Sequence, residues 1–280
     1  MSSFPNSIRD KVVRVLAPVA RHPSASQPSS GFLVDALNKA VSKTKGETQV
    51  QLAPEVARAF STAAVDMWDR SVHSFLISCS LADCSPIWAS VAGYYSSHYA
   101  VRAIAHALGI VQLFRQKKVV YLLDERRCEV SPRRKEDREH VFYWRKVKDH
   151  EWFSLNPLFT RNLSDGSATD AGHREKANYL DHIPISAAPT FSNGVALREK
   201  VRRISMIHFS DPPIPRPDRY PDIVSAQVVA YHRLITFRRL LDDALGTSNR
   251  YWNARRNPGW ANDLMDFQVS SQAGLGVLSS

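Results

Sequence analysis

Apolar residues recur at helical spacing along two long segments of this sequence, 54–108 and 223–245. Cys84-Ser85-Pro86 indicates that the first segment breaks and restarts, because Pro is favoured in a first helical turn and Ser as its cap. Gly109 and Gly246 follow the two segments, and glycine is the residue that most often ends a helix. The pattern predicts a mainly helical fold, with the second half of the first segment buried against the helix at 223–245.

Further short helices are predicted near the N-terminus, at 7–20 and 32–42, and in the second half of the chain, at 174–180 and 195–209. Between the long helical segments, β-branched and aromatic runs at 119–123 and 141–144 flank a charged stretch at 124–139. Such runs are typical of strands. They predict a small β-hairpin or meander inserted at about 117–150 into a mainly α fold.

These changes of pattern divide the chain into three parts. Residues 1–50 form an N-terminal helical extension, 51–245 a helical bundle that contains the β-rich insert, and 246–280 a C-terminal tail. The stretch 211–221 holds five prolines and is predicted to be irregular, because Pro removes a backbone donor and breaks regular structure. No internal repeat at a solenoid-like period is present.

The charge of the chain favours a polyanionic partner. Lys and Arg number 37 against 27 Asp and Glu, which gives a formal net charge of +10. Such a surface attracts RNA, DNA or acidic membrane. The alternative is a basic protein whose charge serves only its solubility. A DNA-binding regulator has the charge in its favour, but the sequence contains no recognisable helix-turn-helix motif.

The 3 cysteines form no disulfide framework and suit a reducing compartment. Neither their spacing nor that of the histidines predicts a metal site, and no cofactor fingerprint is present, so we expect no cofactor. The apolar stretch at 75–95 is interrupted by Asp83 and Pro86, which argues against a membrane span. A cytoplasmic protein is therefore expected.

Two segments carry residues suited to chemistry. Tyr94, His98, Arg102 and His106 are four apart and share one face of the predicted helix. Such a row can serve a functional site, and its alternative role is a set of hydrogen-bonded groups inside the bundle. From the sequence, these four residues could therefore form either a functional site or a set of structural hydrogen bonds inside the bundle.

The second segment is 173–182. One helical turn brings Arg174 near Asn178 and Tyr179 near His182. Guanidinium binds two phosphate oxygens at once, and imidazole transfers protons near neutral pH, so this set suits a phosphodiester. The alternative is a solvated helix end with an Arg-Glu pair.

Together these segments resemble the HEPN family of helical bundles. The first resembles the family's Tyr-Tyr-x-x-Phe-His-x-x-Arg-Ala helix, with matches at Tyr94, Tyr95, Arg102, Ala103 and Gly109. His98 and Tyr99 stand where the family has Phe and His. The second, Arg174-Glu175-Lys176-Ala177-Asn178-Tyr179, resembles its Arg-x-x-Ala-Asp-Tyr helix. The resemblance covers the middle helices and extends to the last long one, and implies a HEPN-like helical bundle with the small β insertion.

The resemblance implies an RNA-directed protein, with metal-independent endoribonuclease activity in a toxin–antitoxin or phage-defence system. It implies a homodimer in which Arg174 positions a phosphate while Tyr179 or His182 transfers a proton. In family nucleases, four to six residues separate the Arg from the His that follows it. Arg174 to His182 is one residue longer, whereas Arg133 or Arg134 with His140 satisfies the pattern.

The alternative function is a non-catalytic bundle that binds a partner protein, such as an antitoxin, or a nucleotide. Two basic regions, 126–148 and 250–260, interleave aromatic residues with Arg, a composition that suits single-stranded nucleic acid. In the second region the aromatic residues have an alternative role, docking the tail on the body. The candidate nucleic-acid-binding residues are His98, Arg102, Arg133, Arg134, His140, Arg255 and Arg256.

Overall fold

The protein is mainly helical, with one small antiparallel sheet. The structure, a computed structural model, describes residues 4–21, 30–44, 47–133, 139–154, 156–160, 194–207 and 223–256, together with Ala261 and Met265. The helices within these ranges are α1 (Asn6–Arg21), α2 (Ser30–Lys43), α3 (Pro54–Leu81), α4 (Pro86–Ala107), α5 (Glu139–Lys148), α6 (Pro157–Thr160), α7 (Gly194–Met206), α8 (Ile223–Leu245) and α9 (Arg250–Asn253). The strands are β1 (Gln49–Gln51), β2 (Ile110–Leu113), β3 (Lys118–Leu122) and β4 (Arg127–Pro132).

The long central helices begin and end where the sequence predicts. α3 begins at Pro54, and α4 restarts at Pro86 with Ser85 in the N-cap position. Gly109 has a φ of 77°, which suits glycine at the end of α4. A Cβ at Gly109 would lie only 2.8 Å from the Cβ of Leu122, so the close approach of the sheet also requires glycine.

The helices α3, α4 and α8 form the centre of the bundle. α4 packs against both α3 and α8, which confirms the expected packing of the 94–108 segment on the 223–245 helix. α8 ends at Gly246, whose φ is 74°. Trp68 of α3 is fully buried, and its indole N–H donates to the carbonyl of Leu234 on α8 at 3.2 Å. Helices α1 and α2 confirm the short helices predicted at 7–20 and 32–42, and α7 confirms the one predicted at 195–209 as far as Met206.

The sheet has four strands in the order β1-β4-β3-β2, all antiparallel. β2, β3 and β4 form a meander that follows α4, and β3 includes most of the 119–123 run, so the predicted β structure is confirmed in part. The sheet also includes strands at 49–51 and 110–113, outside the predicted insert at about 117–150. β1 comes from the segment before α3 and adds to the edge of β4. One face of the sheet packs with α2 and α3 around Leu33, Phe60 and Val120 in a core of its own.

The strand predicted at 141–144 is wrong, because these residues lie in α5. Phe142, Tyr143 and Val147 are buried, and the i, i+4 spacing of Tyr143 and Val147 places both on one helix face. A short apolar run does not distinguish strand from helix without its tertiary neighbours. β4 lies instead inside the stretch interpreted as a charged turn, where only Cys128 and Val130 are buried.

Two of the predicted segments, the helix at 174–180 and the irregular stretch at 211–221, lie outside the described residues. The first residues of the tail, 246–256, lie within the described part of the chain and pack on the helical bundle. Trp252 of α9 is fully buried and contacts Trp68 edge to face, with ring centroids 5.4 Å apart. Within the described ranges, no helix has the length and apolar character needed to cross a membrane.

Candidate functional site

The polar row on α4 is enclosed by the bundle. His98 and His106 are each 2% exposed, and the ring of Tyr94 stacks on His98 with centroids 6.1 Å apart. Tyr143 of α5 closes the row from the other side, with its ring centroid 5.5 Å from that of His106. The four-residue spacing that places these groups on one face therefore directs them into the α4–α5 interface.

The hydroxyl of Tyr143 connects α5 to the end of α4 and to β2. It accepts the backbone N–H of Gln112 at 3.2 Å and lies 3.4 Å from the Nε2 atom of His106. The guanidinium of Arg102 lies 5.1 Å from the centre of the Tyr143 ring, a cation–π distance. Tyr143 thus contacts several residues of the polar row. The sequence did not predict this contact, because residues 141–144 were expected to form a strand.

Burial lowers the pKa of His106 well below its usual value, and the positive charge of Arg102 lowers it further. A hydrogen bond to the backbone of Ala63 acts in the opposite direction but is the smaller effect. His106 is therefore neutral near pH 7. Burial of His98 and His106 supports the structural alternative for this row, because a phosphodiester would have to enter the bundle to reach them.

A second buried cation, Arg233 of α8, was not predicted as a functional residue. Its Nε and Nη2 atoms donate to the carbonyl of Leu158 at 3.0 and 2.8 Å, and Nη1 donates to Ser97 at 3.2 Å. The guanidinium also lies 4.3 Å from the Trp144 ring centre. Arg233 joins α8 to α4, α5 and α6. The available signal was a charged residue between the apolar residues at 228–230 and those at 234–235.

A different arrangement is found at the β2–β3 turn. Phe114 is 54% exposed, and the guanidinium of Arg133 lies 4.9 Å from its ring centre. The strand register pairs Lys118 with Pro132, and the Arg133 N–H donates to the Lys117 carbonyl at 2.7 Å. We define the sheet tip as Phe114, Arg115, Lys117, Lys118 and Arg133.

The sheet tip combines an exposed aromatic face with several cations. Arg115 and Lys117 are exposed, and Lys118 is half-buried. Within the described part of the chain, no carboxylate lies within ion-pair distance of these three side chains. Their charge is therefore available to an anionic ligand. Arg133 was predicted as a nucleic-acid-binding residue, whereas Phe114 was not, because the partners meet only through strand pairing.

Arg255 and Arg256 engage carboxylates of the bundle. Arg255 lies 3.6 Å from Asp69, and Arg256 donates to Asp242 at 3.1 and 2.8 Å. The indole N–H of Trp252 donates to the same Asp242 at 2.7 Å. These contacts support the alternative in which Arg and aromatic residues dock the tail on the body.

No protein-family model matches this chain, and no curated protein or solved structure matches it either. Among the described residues, no group of three or more His, Cys, Asp or Glu side chains could hold a metal ion.

The remaining predicted site residues belong neither to the polar row on α4 nor to the sheet tip as the structure describes them. Arg134, Arg174, Tyr179 and His182 lie outside the described residues. His140 lies in the first turn of α5, but its side chain is also outside the description. Of the predicted set, the structure brings His98 and Arg102 together in the buried row and places Arg133 at the sheet tip.

Proposed function

We propose that the protein binds single-stranded RNA at the sheet tip. The observation that carries this proposal is the exposed ring of Phe114 with the Arg133 guanidinium 4.9 Å from its centre. An aromatic face accepts an unpaired base by stacking, and adjacent cations hold the phosphates that follow it. Lys117 and Arg115 supply such cations at the same turn.

The formal net charge of +10 supports the same choice of partner. Release of counterions from RNA phosphates by Lys and Arg provides most of the non-specific affinity for nucleic acid. The Arg255 and Arg256 side chains already face carboxylates, so they contribute less to an available basic surface. The sheet tip is the described region that combines exposed positive charge with an exposed aromatic ring.

Cleavage of the bound RNA is the second part of the proposal, and its support is the resemblance to HEPN nucleases. Arg174 would hold a phosphate, and Tyr179 or His182 would move a proton during attack by the ribose 2′-hydroxyl. In the family that the chain resembles, that reaction requires no metal. It leaves a cyclic phosphate at the end of one product. The same resemblance supports a homodimer acting in a toxin–antitoxin or phage-defence system.

Binding is tested by titrating a labelled single-stranded RNA at two salt concentrations. Affinity should fall steeply as salt rises, since counterions are released on binding. Phe114→Ala should weaken binding by about 1–3 kcal/mol, the usual contribution of one stacked base. Trp88→Ala is the matched control, because Trp88 is 59% exposed but lies at the start of α4. Equal affinity of Phe114→Ala and the unchanged protein would exclude the sheet tip.

Cleavage is tested separately, with the RNA products examined for cyclic phosphate ends in the presence of a chelator. Arg174→Ala should abolish cleavage while RNA binding at the sheet tip persists. His182→Ala should slow cleavage by about 10²–10⁴-fold if His182 transfers the proton. Cleavage of equal rate by Arg174→Ala would refute the assignment of Arg174 without affecting the binding proposal.

A further inference from the structure

A groove with a volume of about 690 Å³ runs between α2 and the edge of the sheet. β1 is the terminal strand of the sheet and, among the described residues, pairs only with β4. Residues of α2 form the opposite wall, and the first turn of α3 closes one end. The groove is thus bounded on one side by backbone and on the other by helix side chains.

The register of β1 shows which backbone groups face the groove. Val130 donates to the carbonyl of Thr48, and Leu52 donates to the carbonyl of Arg126, both at 2.7 Å. In an antiparallel pair alternate residues bond to the same neighbour, so the N–H and C=O groups of Gln49 and Gln51 point away from β4. Two donors and two acceptors with strand spacing therefore line the groove.

The helix wall supplies an apolar stripe. Phe32, Ala36 and Ala40 are four apart on α2 and line the groove, and Phe32 is 39% exposed. Val50 and Val56 contribute apolar surface from the strand side and from α3. Side chains on one face of an added strand would meet this stripe, because alternate residues of a strand point to the same side.

The charges along the groove are acidic near the start of α2 and predominantly basic near its last turn. Asp35 and Glu55 line the end near the start of α2, whereas Lys39 and Lys43 line the end near its last turn, together with Glu47. α2 rises about 1.5 Å per residue, so Asp35 and Lys43 are about 12 Å apart along its axis. An extended peptide with a basic residue at one end and an acidic residue at the other complements this separation.

We propose that the groove binds an extended peptide as a fifth strand, antiparallel to β1. The peptide has alternating apolar residues that face α2, a basic residue near its amino end and an acidic residue near its carboxyl end. Antiparallel addition continues the arrangement of the existing sheet, and it places the basic residue beside Asp35 and Glu55. Main-chain hydrogen bonds then provide affinity, and the apolar stripe provides selectivity.

The probe is the fluorescent, end-blocked peptide Lys-Thr-Val-Thr-Val-Thr-Glu, whose Lys, Val and Glu side chains share one strand face. Binding should protect the Gln49 and Gln51 amides from hydrogen exchange. The same peptide N-methylated at its threonines should not bind, because those N–H groups would donate to β1. A peptide with Lys and Glu exchanged should bind more weakly. No binding by the first peptide, or equal binding by the N-methylated one, would overturn the proposal.

Gln51→Pro is the matching change in the protein, since it removes an outward N–H and leaves the bonds to β4 in place. It should weaken peptide binding about tenfold, through one lost hydrogen bond and the bulk of the ring. Gln51→Thr, which keeps the N–H and favours a strand, should bind like the unchanged protein. Circular dichroism establishes that both variants fold; unchanged peptide affinity in Gln51→Pro would refute strand addition.

Two further outcomes would assign the groove to another occupant. If single-stranded RNA displaces the peptide, or if Gln51→Pro weakens RNA binding, the groove belongs to nucleic acid and the peptide proposal is wrong. If the unchanged protein is a dimer in sedimentation and Gln51→Pro makes it a monomer, the edge of β1 pairs with a second copy. Failure of RNA binding at the sheet tip would leave the peptide result unaffected.

Discussion

The α4–α5 interface and the sheet tip each place an arginine over an aromatic ring. Arg102 lies 5.1 Å from the ring centre of Tyr143, and Arg133 lies 4.9 Å from that of Phe114. The two pairs have similar geometry, but Tyr143 is 1% exposed and Phe114 is 54% exposed. The contact itself does not decide the role of the residues. The solvent exposure of the ring decides it, because only an exposed ring has a face on which a ligand can stack.

The difference extends to the surrounding polar groups. The hydroxyl of Tyr143 has partners within the protein, namely the Gln112 N–H and the neighbouring His106. Around Phe114 the side chains of Arg115 and Lys117 extend into solvent. Buried polar groups with partners hold helices in one register, whereas exposed charges without protein partners remain available to an external anion.

The largest expected effect separates the two regions by stability. Tyr143→Ala should lower the free energy of unfolding by about 3–5 kcal/mol, because it removes a buried ring and leaves a cavity. Phe114→Ala should change it by less than about 0.5 kcal/mol, as is usual for exposed positions. Urea unfolding followed by circular dichroism measures both variants. If both variants lose a similar free energy of unfolding, Phe114 also belongs to the core, and the difference between the two regions is refuted.

A smaller effect is expected on RNA binding. If the Arg133 guanidinium contacts a base in the complex, Arg133→Ala should weaken binding by about two- to fivefold, the range for a cation–π contact at an exposed site. If Arg133 also contacts a phosphate, the slope of log affinity against log salt should fall by about 1. Arg102→Ala, in the buried row, should bind RNA like the unchanged protein once it is folded. A greater loss in Arg102→Ala than in Arg133→Ala would reverse the assignment.

The smallest effect concerns the dependence of stability on pH. Because the pKa of His106 is lowered from its model-compound value of 6.5 in the folded protein, the unfolded chain binds a proton more readily below that pH. The free energy of unfolding should therefore fall as the pH drops from about 6.5 towards the folded-state pKa. His106→Gln should reduce this slope.

Other groups modify the same pH range. The pKa of His150 is also lowered, by burial and then by Lys11, so part of the slope should remain in His106→Gln. Burial raises the pKa of Asp69 to about 6 although the positive charge of Arg255 opposes it. Asp69 therefore contributes stability that increases as the pH falls through 6, opposite in sign to His106. If the free energy of unfolding of His106→Gln depends on pH as steeply as that of the unchanged protein, His106 is not the group that reduces stability at acidic pH.

The helical part of the fold was largely predictable from the sequence. Pro54, Pro86 and Gly109 mark boundaries that the structure has at the same places. The candidate site was less predictable. Arg102 and Arg133 were both selected as nucleic-acid-binding residues, but the structure places the first in a largely buried row and the second at the edge of the sheet. Phe114 was missed because its partner is 19 residues away and reaches it only through pairing of β3 with β4.

The sequence by itself determined the boundaries of the long helices α3 and α4, because they follow from local backbone chemistry. Proline limits its own φ and lacks an N–H, and glycine alone adopts a positive φ without steric cost. Tertiary structure decided that Phe142 and Tyr143 lie in a helix and that Gln49 and Gln51 form a sheet edge. Those outcomes depend on which surfaces pack together and become shielded from water, and neighbouring residues in the chain do not specify that packing.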